Sequence, residues 1–356
     1  MGYQWDALLL EAGFLAILLG SSPIVIWLYR WLLFRLVFLS GVVKLASGDP
    51  SWRHFTALPV HYETQPLPTP LAWYMYQFPA WFQRGSVGFV FFVELVVPFL
   101  IFAPRRVRFF AARAIVVLQL LILLTGNYAF FNVLTISFCL FLVDDAFLRR
   151  VLPKLVGGLA FSAKIPGKSY LSARGVCGAF AALALFVGSF QVARAFGVRW
   201  PVADAAIRSV SPFQIINSYG LFAVMTTTRP EIVIEGSNDG VNWQAYEFKY
   251  KPGDLSRRPA WVAPHQPRLD WQMWFAALGD YRSDPWIVRF MARLLEGSPQ
   301  VLALLGRNPF ATGPPHYVRA MLYQYRFTTP AERKNTGAWW KRELKGAYVP
   351  AVSLRN

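Results

Sequence analysis

Cysteine, acid and charge of either sign are scarce in this chain, and each shortage excludes something. Of 356 residues only two are cysteines, Cys139 and Cys177, and both lie in apolar runs. They form neither a CxxC pair nor a zinc spacing, so the chain alone is not expected to do dithiol chemistry, and the two thiols read as small core residues. Charged residues make up 15%, against about 25% in a soluble globular domain. Acids are the scarcer sign, 19 Asp+Glu against 36 Lys+Arg, which leaves a net charge of +17. A nucleic-acid binder would cluster such basic residues on a soluble domain; here many sit in short loops between apolar runs, as in the positive-inside pattern. No nucleotide-binding P-loop, no Ser-His-Asp elbow and no HExxH zinc motif occurs. Gly236-Ser-Asn-Asp-Gly240 lacks the spaced ligands and terminal Glu of a calcium loop and reads as a turn. No metal and no cofactor is expected.

What the chain does have is apolar length. Hydrophobic residues are 55%, aromatics 17%, and the mean hydropathy is +0.35. The expected fold is a polytopic α-helical membrane protein with a C-terminal, non-cytoplasmic α+β domain of hairpin or sandwich-like character. Residues 1–195 form the membrane domain, with about six embedded segments at 8–20, 24–43, 86–102, 111–125, 130–143 and 177–192, and an outer loop at 44–85. A linker at 196–210, the outer domain at 211–330 and a basic, aromatic tail at 331–356 follow. Within the outer domain, Pro230–Glu235 and Trp243–Lys251 alternate as a hairpin does, Tyr317–Phe327 is a later strand, and Leu269–Leu278, Pro285–Leu295 and Pro299–Leu305 are helical. Trp339, Trp340, Lys341 and Arg342 in the tail suit an interfacial segment. Arg105, Arg106, Arg108 and Arg113 fill one loop, and Arg149, Arg150, Lys154, Lys164, Lys168 and Arg174 another, on what alternation makes a single cytoplasmic face. The stretches 44–85 and 196–356 then lie on the opposite face. Met1 leads almost directly into apolar sequence with no basic n-region, so the natural sequence is expected to begin further upstream.

Ionisable residues at bilayer depth cost roughly 2.5–3.5 kcal/mol each on insertion scales, so those present are paired, snorkelling or functional. Lys44 ends the second segment after Ser40-Gly-Val-Val43; it is either a snorkelling residue or a base or anion site supported by His61 and Glu63. Glu94, close to Pro98 inside a span, is expected to hydrogen-bond a neighbouring helix or to pair with Arg35 or Lys44, with a transported-ion site as the alternative. Asn127 and Asn132 flank a tight turn, where capping is the default. Asp144-Asp145 is expected to pair with Arg149 or Arg150.

Leu39-Ser-Gly-Val-Val-Lys-Leu45, Trp52, His61-Tyr-Glu-Thr-Gln-Pro-Leu-Pro68, Thr125-Gly-Asn-Tyr-Ala-Phe-Phe-Asn132, Asn217-Ser-Tyr-Gly-Leu-Phe222, Phe248-Lys-Tyr-Lys-Pro-Gly253 and Pro264-His-Gln-Pro-Arg-Leu-Asp-Trp271 resemble the lipase maturation factor family. The resemblance implies a membrane-embedded chaperone assisting the folding or assembly of secreted proteins, lipases among them, in the endoplasmic reticulum membrane or, for a bacterial-type member, the inner membrane. The client-facing surface would then be aromatic and outer: Trp243, Trp261, Trp271, Trp274 and Phe275. A shorter match, Gly41, Lys44, Leu45 and Trp52, resembles a motif of the vitamin K-dependent gamma-carboxylase, which implies the rival reading of a membrane enzyme with Lys44 as base. The partners expected are client proteins and the lipid bilayer, not nucleic acid.

Overall fold

The structure, a computed structural model, describes residues 3–151 and 167–354. Lys154 and Lys164 lie outside the described residues. The chain divides into two compact units: Met1–Ala57 with Arg84–Ile122 and Phe130–Met225, and Leu58–Gln83 with Leu123–Ala129 and Thr226–Asn356.

Among the described residues four helices are long and apolar enough to cross a membrane: Ile24–Ala46, Ala80–Phe102, Arg105–Thr125 and Gly175–Ala195. Each contains one of the expected segments. The segments at 8–20 and 130–143 correspond to shorter helices, Gln4–Leu18 of 15 residues and the apolar Phe131–Leu142. Ile24–Ala46 is the inner helix of the first unit, with 72% of its apolar window buried against 33–39% in the other three. Its small residues explain the close packing. A Cβ added at Gly41 would lie 2.7 Å from the Leu95 side chain and 2.9 Å from Glu94 Cβ. Without a hydrophobic driving force between helices in lipid, such close backbone approach is what holds them together. Ala80–Phe102 is not one regular helix: it passes from α (Ala80–Phe91) through a π turn (Phe92–Val96) to 3₁₀ (Val97–Phe102). Pro98 has no N–H to give an α ladder, and the widened turn before it carries Glu94.

At one end of this unit three arginines serve the C-terminus of Phe131–Leu142. Arg30 Nε donates to Phe141 O at 2.9 Å and Arg108 Nε to Leu142 O at 2.8 Å. Arg105 pairs with Asp144, not the expected Arg149 or Arg150. Cations suit the negative end of a helix, and here the partner comes from another helix of the bundle instead of the next turn.

The second unit is built on a four-stranded antiparallel sheet of order β2-β1-β5-β6, where β1 is Arg229–Ser237, β2 Gln244–Ala245, β5 Tyr317–Phe327 and β6 Trp340–Val352. A separate pair joins β3 (Glu247–Phe248) to β4 (Leu305–Arg307). The expected second hairpin strand, Trp243–Lys251, is thus broken in two, each half with its own partner. The tail is not a free segment: from Trp340 to Val352 it forms β6, an edge strand along β5 from Val318↔Val352 to Phe327↔Trp340. Its exposed Lys341, Arg342, Glu343 and Lys345 are the charges that keep an edge from pairing further.

Strand alternation gives the sheet two cores. Ile232, Ile234, Val318 and Ala320 pack with Met273, Ile287, Phe290, Met291 and Leu294 of the helices Arg268–Ala277 and Pro285–Leu295. The other side of the strands presents Tyr325 and Phe327, which with Trp339 and Trp340 bury Tyr62, Ala72 and Trp73 of the Pro-rich stretch. The stretch 58–83 is therefore part of the sheet's second core.

Candidate functional site

In the first unit the intramembrane charges sort into two sets. Lys44 Nζ lies 2.9 and 2.8 Å from the two carboxylate oxygens of Glu94 and 3.0 Å from Ser40 O, so all three of its donors are used. The Trp52 ring covers it at 5.2 Å. Arg35 pairs with Glu11 and donates to Asn217 O at 2.7 Å and Gln191 Oε1 at 3.1 Å. Glu11 also accepts from the Asn217 N–H at 2.8 Å and from Tyr219 Oη at 2.7 Å. A Cβ at Gly188 would reach to 2.8 Å from Arg35 Cδ, so that glycine makes room for the guanidinium. Breaking a buried pair by removing one partner costs about 3–5 kcal/mol, so these sets hold the helices in register. Asn132 Nδ2 donates to Gln119 Oε1 at 2.8 Å, a bond between helices and not a cap.

In the second unit Arg229 is the central polar residue. It is fully buried. Its guanidinium donates to the carbonyls of Glu63 (2.7 Å), Gln65 and Pro66 (3.0 Å) and pairs with Glu231 at 2.8 Å. Lys251 reaches the other Glu231 oxygen at 3.0 Å, and the Trp340 ring lies 4.9 Å from the Arg229 carbon. The planar fork of an arginine serves several carbonyls at once; here it ties the Pro-rich stretch to β1. Glu63 completes the tie from the other side by accepting the Phe327 N–H at 2.9 Å. Tyr128 donates to Gln65 Oε1 at 2.9 Å, so its oxygen accepts from His61 Nε2 at 2.8 Å, and His61 acts there as a donor. Burial pushes the Glu63 carboxyl up against the lowering pull of the Phe327 N–H and of Arg229 and Arg326. Burial also pushes Tyr62 up to about 12 and Tyr128 well above its ordinary value, and lowers Arg229 against the pull of Glu231.

Asn127 is a clamp, not a cap. Its Nδ2 donates to Leu67 O at 3.1 Å and Ala260 O at 2.8 Å, and its Oδ1 accepts from the N–H groups of Val262 (2.8 Å) and Ala263 (3.0 Å). Between these bonded residues Trp261 is 51% exposed.

The candidate base and its supposed helpers fall in different units: Lys44 is held by Glu94 in the first, His61 and Glu63 by Tyr128 and Phe327 in the second. The aromatic candidates also separate. Trp261 and Phe275 (41% exposed) face solvent, Trp243 and Trp274 are half-buried, and Trp271 is a core residue at 3%. Trp274 Nε1 donates to Thr64 O at 2.9 Å, and Arg319 lies 4.0 Å over the Trp243 ring. Arg229, Glu231 and Lys251 were not among the sequence candidates; two charges at alternate positions of the apolar strand R-P-E-I-V-I were the available signal. The Asp239 turn is as expected: its carboxylate accepts from the N–H groups of Val241 and Asn242 at 2.8 and 2.7 Å. Among the described residues no group of His, Cys, Asp and Glu could hold a metal.

Residues 1–150 match the family model described as lipase maturation factor transmembrane domain, and residues 215–350 the one described as lipase maturation factor C-terminal domain. Lipase maturation factor 2 of Gallus gallus is 39% identical over 99% of this chain and 65% of its own length. The human lipase maturation factor 2 is 36% identical over 99% and 66%. Lipase maturation factor 1 of Bos taurus is 36% identical over 99% and 68%. The chain thus spans about two thirds of the length of these relatives. No solved structure matches it.

Proposed function

We propose that this chain, which belongs to the lipase maturation factor family, is an integral membrane factor that assists folding or assembly of secreted proteins, with lipases as the first clients to test. The observation that carries the reading is the relatedness itself, which extends over 99% of the chain. The mechanism is binding. Trp261 and Phe275 offer exposed aromatic area on a unit whose buried polar groups are tied to its own backbone, as suits holding an apolar segment of a partly folded client. The carboxylase-like reading has no such support: the matching family is the maturation factors, and Lys44 has no donor left for a substrate.

The basic loops support a cytoplasmic face at Arg105–Arg113 and Arg149–Arg150, with the stretches 44–85 and 196–356 non-cytoplasmic, in the bacterial periplasm or the lumen of the endoplasmic reticulum. The test is reconstitution. A secreted lipase is expressed in cells lacking the endogenous factor, with and without this chain. Specific activity of the secreted lipase rises when the chain is present; equal specific activity in both cultures removes lipases from the client list.

A further inference from the structure

An open cleft of about 510 Å³ in the second unit is lined by Trp73, Tyr74, Gln77, Arg333, Lys334 and Gly337 among others. Its chemistry is apolar below and cationic at the rim. Trp73 is buried, Tyr74 is 45% exposed, and the Arg333 guanidinium rests 3.7 Å over the Trp339 ring and 4.9 Å over Trp73. Stacking on ring faces leaves the edge N–H groups of an arginine free to meet an oxyanion. Among the described residues neither Arg333 nor Lys334 is paired with a carboxylate; the adjacent Glu332 is taken by Lys341 at 2.7 Å and by the Thr329 N–H. The cleft therefore carries two uncompensated positive charges over an aromatic floor.

Chain continuity says which anion is at hand. Gln77 precedes Ala80, the first residue of a membrane-crossing helix, by a stretch that spans about 11 Å at most. Trp81 (75% exposed) stands in the same unit, a residue type enriched at a membrane–water interface, and Phe78 (47%) adds exposed apolar area. The cleft is thus joined by a short stretch to a helix long and apolar enough to cross a membrane, and a lipid headgroup is an anion within its reach.

We propose that this cleft binds an anionic phospholipid of the bilayer the chain crosses, with Arg333 and Lys334 on the phosphate and the exposed Tyr74 ring against the glycerol and upper acyl chain. The site would seat the second unit on the membrane surface, independently of any client.

The test uses the full chain purified in detergent, titrated with dioleoyl phosphatidylglycerol or dioleoyl phosphatidylcholine and read by native mass spectrometry. Phosphatidylglycerol is retained over phosphatidylcholine by the intact chain. Lys334→Gln lowers that retention about fivefold, the worth of one basic residue at an anionic surface, and R333Q with K334Q lowers it by about 25-fold. Because Arg333 also packs on two rings, the exposed Lys334 carries the decisive variant. Lys345→Gln, on β6 and paired with Glu343, leaves retention unchanged. Equal retention of the two lipids, or no loss in Lys334→Gln, overturns the proposal. Displacement by soluble glycerol phosphate at the lipid's own concentration also overturns it, since the site would then take a free phosphate.

Discussion

Asn127 grips the backbone on both sides of Trp261: its amide donates to Ala260 O at 2.8 Å and its carbonyl accepts from the Val262 N–H at 2.8 Å. The side chain between is 51% exposed. A large aromatic held out by a fixed backbone loses little entropy when something docks on it. Replacing Asn127 by Ala leaves buried carbonyl and amide groups unpaired, each worth about 1–3 kcal/mol. We expect Asn127→Ala to lower the melting temperature and to speed hydrogen exchange at Val262 and Ala263, while β1 amides keep their protection. Unchanged exchange at those two amides would mean the clamp is not what fixes Trp261.

Lys44 and Glu94 give a second prediction. Lys44→Met leaves a buried carboxylate alone and costs about 3–5 kcal/mol; Lys44→Met with Glu94→Leu restores much of it, because apolar replacement of both members of a buried pair is often neutral. The measurement is thermal melting in detergent alongside membrane abundance. On the binding account the double variant still matures clients. A double variant with normal abundance and melting but no maturation activity would return Lys44 to the list of functional residues.

The sequence and the structure agree where a segment's neighbours are also its partners in packing. The runs at 24–43 and 111–125 lie within membrane-length helices, and Tyr317–Phe327 has the bounds expected of it. They part where the partner is remote. The charges of the tail are local and visible, but its strand β6 is not, because the strand it pairs with is encoded elsewhere. The helper residues of Arg35 include Glu11, Gln191 and Asn217, three positions that no spacing rule connects. Trp271 and Trp261 are the same residue type in one aromatic stretch, yet one is core and one is surface; only the helix packing against β1 separates them.

Glu63 gives a prediction in pH. Its carboxyl is raised from the ordinary 4.5, chiefly by burial. The folded protein therefore holds that proton to higher pH than the unfolded chain does, and the stability of the second unit falls as pH rises from about 4.5 through the raised value. Glu63→Gln keeps an acceptor for the Phe327 N–H and has nothing to ionise. Its melting temperature should change less than the wild type's between pH 4 and about 7. Parallel pH profiles for the two would show that Glu63 ionises as it does in water.

Arg229→Met should release the Pro-rich stretch from β1, since three carbonyls lose their donor and Glu231 keeps only Lys251 of its two cations. The expected loss is about 3–5 kcal/mol, with new protease cleavage between residues 58 and 83. Cleavage confined to other loops would contradict the role assigned to Arg229.

The most direct measurement of the central claim is client maturation by Trp261→Asp with Phe275→Asp. Both side chains are exposed, at 51% and 41%, so the variant should fold and reach normal membrane levels. The binding account predicts that secreted lipase activity falls toward that of cells without the chain. Full activity from a normally abundant variant would contradict it, and the client-holding surface would have to be sought elsewhere on the protein.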